Sequence, residues 1–186
     1  RSVVGYVELL SGRAQPGANV AIIGAGGIGF DVALYLLERN ERATLEPEAF
    51  AAHWGIVRDR AAPGGLDPKG PPPAHPAHRI TLLKRSAGPF GTTLGRSTGW
   101  VHRAELARNG VAMLKGVEYR RIDDAGVHFA VDGKESVIPA DTVVICAGQE
   151  PLRPLAARHV IGGAKLATEL DAKRAMLEGA ELAAAL

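Results

Sequence analysis

Cysteine is almost missing from this chain: Cys146 is the single one among 186 residues. One thiol can close no disulfide with a second residue here, build no thiolate zinc cage and hold no iron–sulfur cluster by itself. It stands in the apolar run VVICAG, where a packed core thiol is expected rather than a nucleophile, and a reducing, cytoplasmic setting is the expected one. An excess of one charge is lacking too. Lys and Arg number 22 against 20 Asp and Glu, a formal net charge of +2, which is too small to suggest nucleic acid as a partner, so any basic site has to be local. Long apolar runs are absent: the Ala-rich final stretch is broken by Glu169, Asp171, Lys173, Arg174, Glu178 and Glu181, so neither a membrane span nor a signal peptide is expected. Aromatic residues are scarce at 5%, yet 46% hydrophobic and 23% charged residues are ordinary for a globular chain. The length supports one substantial core, or one compact domain with pieces of another.

Glycine, by contrast, is plentiful, and its placement is informative. Val20 to Phe30 reads VAIIGAGGIGF: an apolar run ends at Gly24, glycines follow at Gly26 and Gly29, and the helix-compatible DVALYLLER comes next. In such a strand–turn–helix unit the first glycine permits the sharp turn, the second lets a pyrophosphate approach the backbone, and the third lets helix and strand pack closely. The helix then presents unpaired N–H groups and the positive end of its dipole to an anion lying over the turn. Gly24, Ala25, Gly26, Gly27, Ile28 and Gly29 are therefore the candidate dinucleotide-binding residues. A bare tight turn is the simpler alternative, and the flanking strand and helix weigh against it.

Elsewhere the pattern alternates. Val3 to Leu10 reads as a short amphipathic helix. Residues 41–78 interrupt the expected succession with EPEAFAAHWGIVRD, a helical segment, and the Pro/Gly-rich APGGLDPKGPPPAHP, a surface insertion. His53, His75 and His78 fall within it, but no carboxylate or thiol stands at ligand spacing and no metal site is expected. RITLLKR resumes with a buried strand, GWVHRAELARNG gives a helix closed by Asn109-Gly110, and Val111 to Leu114 is a further strand. EYRRIDD, VHFAVDG and KESVIPA form an antiparallel meander, and DTVVICAG is a last apolar strand ending in a turn at Gly148, a further candidate cofactor-binding residue. The plan is α/β and Rossmann-like, a mostly parallel sheet plus a three-stranded meander.

The second strand ends Lys84-Arg85-Ser86. A carboxylate there would favour an unphosphorylated ribose; two cations and a hydroxyl suit a 2′-phosphate, so NADPH is the expected coenzyme. A solvated basic strand end is the alternative reading. Arg96 and Arg103, with Trp100 between them, could complete an anion pocket, Arg96 being a candidate cofactor-binding residue; the Trp100 ring could offer a stacking face or anchor the helix start in the core. Asp31 is expected in the first helical turn, favoured by the dipole or facing the nicotinamide end. His102 and His128 show no partner in the sequence, and no catalytic residue can be named.

NVAIIGAGGIGFDVALYL, AFAAHWGI, LGRSTGWVHR, GVEYRRIDDAGVHF, VVICAGQEP and IGGAKLATELDAKRA together resemble the C-terminal part of the bacterial NADPH-dependent 2,4-dienoyl-CoA reductases, flavin oxidoreductases akin to 2-enoate reductases and trimethylamine dehydrogenase. The resemblance spans nearly the whole chain, CAGQEP and TGWVHR being its most specific motifs. It implies a larger polypeptide with an FMN-bearing barrel, a 4Fe-4S cluster and an FAD domain into which an NADPH domain is inserted. Electrons would run from NADPH through FAD, the cluster and FMN to a dienoyl-CoA thioester. Residues 1–19 would be a linker helix from the FAD-type domain, 20–148 the NADPH domain and 149–186 a returning segment of the FAD-type domain. The partners implied are the rest of the same polypeptide and an acyl-CoA substrate bound elsewhere. A redox-inert module holding an adenine nucleotide is the alternative function. Two departures stand out: the segment between CAGQEP and VIGG is shorter than usual, and Gly162-Gly163-Ala164-Lys165 replaces the G-G-x-D associated with FAD.

Overall fold

The computed structural model describes residues 2–37, 45–58, 62–168 and 171–186. The chain divides into two compact units, Arg1–Cys146 and Ala147–Leu186. In order, the first contains β1 (Ser2–Gly5), α1 (Tyr6–Leu10), β2 (Asn19–Ile23), α2 (Gly27–Leu37), α3 (Pro47–Trp54), β3 (Arg79–Leu83), α4 (Gly99–Arg108), β4 (Ala112–Leu114), β5 (Glu118–Asp123), β6 (Gly126–Val131), β7 (Lys134–Ile138) and β8 (Thr142–Ile145). Five strands form a parallel sheet in the order β1-β8-β2-β3-β4, and β5-β6-β7 form a separate antiparallel sheet. The mixed α/β plan with a meander is thus the one expected.

The apolar runs of the central strands have a direct cause. Val20 and Ile22 of β2, Ile80 and Leu82 of β3, and Val144 of β8 pack with Phe30, Val32, Ala33 and Leu36 of α2 and Leu106 of α4. The intervening Ala21, Ile23, Leu83 and Val143 face the other way, onto Val117 just before the meander and Val127 and Phe129 within it. Both faces of the sheet are covered, so strand residues of either parity are apolar. Full burial of a side chain such as Phe30 contributes roughly 1.5–3 kcal/mol. The meander turns at Asp132-Gly133, where both residues have positive φ (51° and 76°) between the paired Val131 and Lys134; that is the two-residue turn whose twist matches the strands it joins.

One local expectation fails. The helix read over Val3–Leu10 is a strand, Ser2–Gly5, followed by a single helical stretch, Tyr6–Leu10. Ser2 through Gly5 pair with Thr142 through Ile145 of β8, so β-branched Val3 and Val4 find a ladder partner that local periodicity cannot reveal. These residues therefore form an edge strand of the main sheet, a correction to their reading as linker helix.

In the second unit, α5 (Ala172–Ala185) starts at Asp171, whose carboxylate accepts the Arg174 N–H at 2.7 Å. Glu178 on this helix accepts the Gly162 N–H at 2.7 Å, tying α5 to the turn Gly162–Ala164. Among the described residues no helix is long and apolar enough to cross a membrane.

Candidate functional site

From β2 the chain runs outward through β3 to β4, and after the meander it returns to β8 on the opposite side of β2. The order reverses between β2 and β8, and in open parallel sheets the crevice beyond the carboxyl ends at such a reversal is where ligands bind. The residues found there are the glycine-rich turn. Gly24 has φ +109° and donates its N–H to Leu83 O at 3.0 Å. A Cβ on Gly29 would lie 1.8 Å from the Gly24 carbonyl oxygen, so the absence of a side chain there lets the start of α2 press against the strand exit. At Gly26 and Gly27 a Cβ would meet nothing within 4 Å. Their outer side is open, and a phosphate has room to approach backbone N–H groups at the start of α2. Ala25 and Ile28 turn inward against the helix-side core. The donor set and the free space fit a dinucleotide pyrophosphate.

Asp31 is exposed, and the first turn of α2 holds no acidic residue. The helix begins at Gly27, two residues before the last glycine, which carries Asp31 past the first turn; the expected dipole pairing is corrected accordingly.

The basic end of β3 is not one cluster. Lys84 is half-buried, its ammonium donating to Pro89 O at 2.7 Å and lying 4.8 Å from the centroid of Phe90, a ring that packs with the helix-side core. Arg85 is exposed and close enough to Tyr119, on the meander side, for its charge to act on that phenol. Arg96 is exposed in the loop before α4. Arg103 donates to Gly91 O at 3.4 Å and pins the same loop. Trp100 is 60% exposed, so it does not anchor the helix start; a free ring face stands at the beginning of α4 instead. Gly148 lies in the second unit with φ +82°.

Several pairings escaped the sequence. His53 Nε2 sits 3.1 Å from Glu105 Oε2, and Arg108 donates to Pro72 O at 3.1 Å, so the insertion touches α4 at His53 and at Pro72. His78 Nδ1 is 2.8 Å from Gly17 O. His128 Nε2 is 2.8 Å from Asp123 Oδ1, and Arg121 donates to the other oxygen at 2.8 Å. Arg121, then His128, hold the Asp123 carboxyl well below the usual carboxylate range. All three belong to one hairpin, so adjacency through β5-β6 pairing was the signal available. Among the described residues no group of three His, Cys, Asp or Glu gathers as a metal site.

Cys146 is buried where β8 ends, its N–H donating to Ile23 O at 2.8 Å. Burial pushes its thiol up from 9.0 to about 12. Burial also pushes the Tyr119 phenol up to about 12, against the opposing charge of Arg85. In both cases the fold holds the neutral form, so the unfolded chain ionises first; the stability involved is complete below the unfolded values and lost as pH rises toward about 12. The expected outcome is a denaturant midpoint that falls over that alkaline window, with Cys146 inert to a thiol reagent in native protein near pH ~8. Modification at the rate of a free cysteine would contradict the buried geometry.

The sequence matches the family described as pyridine nucleotide-disulphide oxidoreductase over residues 4–172. A curated metal reductase of Desulforamulus reducens is 29% identical over 143 residues, covering 76% of this chain and 20% of that protein. A 2-naphthoyl-CoA reductase, solved with 2-naphthoyl-CoA, superposes with a TM-score of 0.64 at 20% identity over 95% of this chain and 22% of that one, a likeness of fold. A bacillithiol disulfide reductase from Bacillus cereus gives a TM-score of 0.46 at 18% identity over 72% of this chain and 30% of that one. The chain thus spans about a fifth of the length of the first two.

Proposed function

We propose, because the chain belongs to the pyridine nucleotide-disulphide oxidoreductase family, that its Arg1–Cys146 unit binds NADPH and presents it to a flavin. The observation that carries this reading is the Gly24–Gly29 turn at the sheet's reversal point, each glycine fitted to a different requirement of a bound pyrophosphate. NADPH supplies the hydride when bound; the residues here orient it. Backbone N–H groups at the start of α2 receive the diphosphate, the basic end of β3 receives the 2′-phosphate, and the exposed Trp100, with Arg96 nearby in sequence, borders the same loop. Asp31 completes the proposed contact set of this unit.

The finer reading is a domain of an enoyl-type reductase acting on 2,4-dienoyl-CoA thioesters, with FAD, FMN and a 4Fe-4S cluster in a longer cytoplasmic polypeptide. It rests on CAGQEP, TGWVHR and the other shared motifs. With one cysteine, and that one buried, these residues form no disulfide among themselves.

Titration with NADPH and NADH tests the coenzyme. A charge-assisted phosphate contact predicts tighter NADPH binding by on the order of 10-fold to 100-fold. Equal affinity, or none, would favour the redox-inert nucleotide module.

A further inference from the structure

We infer that the two adjacent cations at the tip of β3 have separate tasks: Lys84 is a positioning residue that holds the 84–98 loop down, and Arg85 alone meets the coenzyme's 2′-phosphate. This rests on the NADPH reading above and divides its basic site in two.

The Lys84 ammonium is already engaged. It donates to Pro89 O at 2.7 Å and stands over the Phe90 ring. One of its three N–H donors is spent there, and swinging the ammonium away toward a phosphate elsewhere would break that hydrogen bond and leave the ring. Its backbone is fixed as well, donating to Leu114 O at 2.9 Å and accepting from Val117 N at 3.0 Å, so the side chain cannot be re-aimed by a small shift of the strand end. Phe90 packs on the helix-side core and Arg103 ties Gly91 O at 3.4 Å. The loop that leads to Arg96 and Trp100 is therefore fastened on both sides of Phe90, and Lys84 is one of the fasteners.

Arg85 stands differently. It is exposed, and among the described residues it takes part in no hydrogen bond or ion pair. Its guanidinium fork is free to make two parallel bonds to a phosphate, a geometry a lysine cannot reproduce. The strand tip lies beside the glycine turn, because Leu83 O accepts the Gly24 N–H.

The test is calorimetric titration of the intact protein with NADPH, NADH, 2′,5′-ADP and 5′-ADP. Arg85→Ala is expected to weaken NADPH and 2′,5′-ADP by on the order of 10-fold or more and to leave NADH and 5′-ADP within about 2-fold. Lys84→Met is expected to weaken NADPH and NADH by the same factor, leaving their ratio unchanged. Phe90→Leu should reproduce that effect, the double variant should add little to it, and Lys84→Arg, which keeps both the cation over the ring and a donor to Pro89, should restore binding. A Lys84→Met variant that erases the NADPH preference as Arg85→Ala does would overturn the division, and so would an Arg85→Ala variant that keeps it. A wild type with no preference for NADPH would sink the coenzyme reading itself, a result distinct from either.

Discussion

Gly29→Ala is expected to destabilise the Arg1–Cys146 unit by about 3 kcal/mol or more and to abolish coenzyme binding with it. The added methyl carbon would sit 1.8 Å from the Gly24 carbonyl oxygen and 2.9 Å from its carbon, with Leu82 Cδ1 at 3.4 Å on the far side. The offending atoms are backbone, so no side-chain rotation relieves the overlap. Either α2 lifts off β2 or the strand exit is displaced. Lifting α2 would loosen Phe30, Val32, Ala33 and Leu36 from the helix-side core, and overpacking of this type usually costs ~1–3 kcal/mol even where the core can give. Against a total stability of roughly 5–15 kcal/mol, a Tm lower by on the order of 10 °C is expected. Gly26→Ala separates fold from function, since its methyl would project into open space. It should leave Tm within about 2 °C and weaken NADPH on the order of 10-fold, by occupying the approach to the turn. Thermal unfolding and calorimetry on the two variants check the pair; a Gly29→Ala protein as stable as wild type would refute the close helix–strand contact.

The second large effect is expected in the meander. Gly126 begins β6 with φ +134°, and a Cβ there would lie 1.9 Å from Ile138 O and 3.0 Å from Ala140 N. Gly126→Ala meets two penalties at once, a backbone conformation that L-residues rarely adopt and a collision with β7's final carbonyl. Each costs on the order of 1–3 kcal/mol, so a combined loss of ~3–5 kcal/mol is expected. It should fall on the β6-β7 ladder first, and because Val127 and Phe129 cover one face of the parallel sheet, the loosening should spread to Ile23, Leu83 and Val143. Gly133→Ala is the internal control: φ is +76° but nothing lies within 4 Å of the added carbon. Its loss should be limited to the conformational cost, ~1–2 kcal/mol. Amide exchange in β7, which should accelerate in Gly126→Ala far more than in Gly133→Ala, provides the measurement. Equal effects in the two variants would rule out the collision.

The contrast between legible and hidden features follows the range of the interactions. Val20–Gly29, the two-sided apolar runs of β2, β3 and β8, and the Asp132-Gly133 turn were readable because each is set by neighbours a few residues away: strand and helix periods, a positive φ, an unpaired helix start. Their place in an α/β sheet followed from the succession of those patterns. What the sequence could not decide depends on residues far apart in the chain. Ser2–Gly5 is a strand because β8 lies beside it. His53 and Glu105 meet because the insertion folds back on α4, and Trp100 is exposed because the start of α4 turns its ring outward rather than into the core. Most consequential is the Lys84-Arg85 pair, two like charges in sequence that the structure directs to different neighbours, Phe90 on the helix side and Tyr119 on the meander side. Successive residues at a strand end point to opposite faces of a sheet, and only the tertiary packing above and below that sheet determines what each charge finds there.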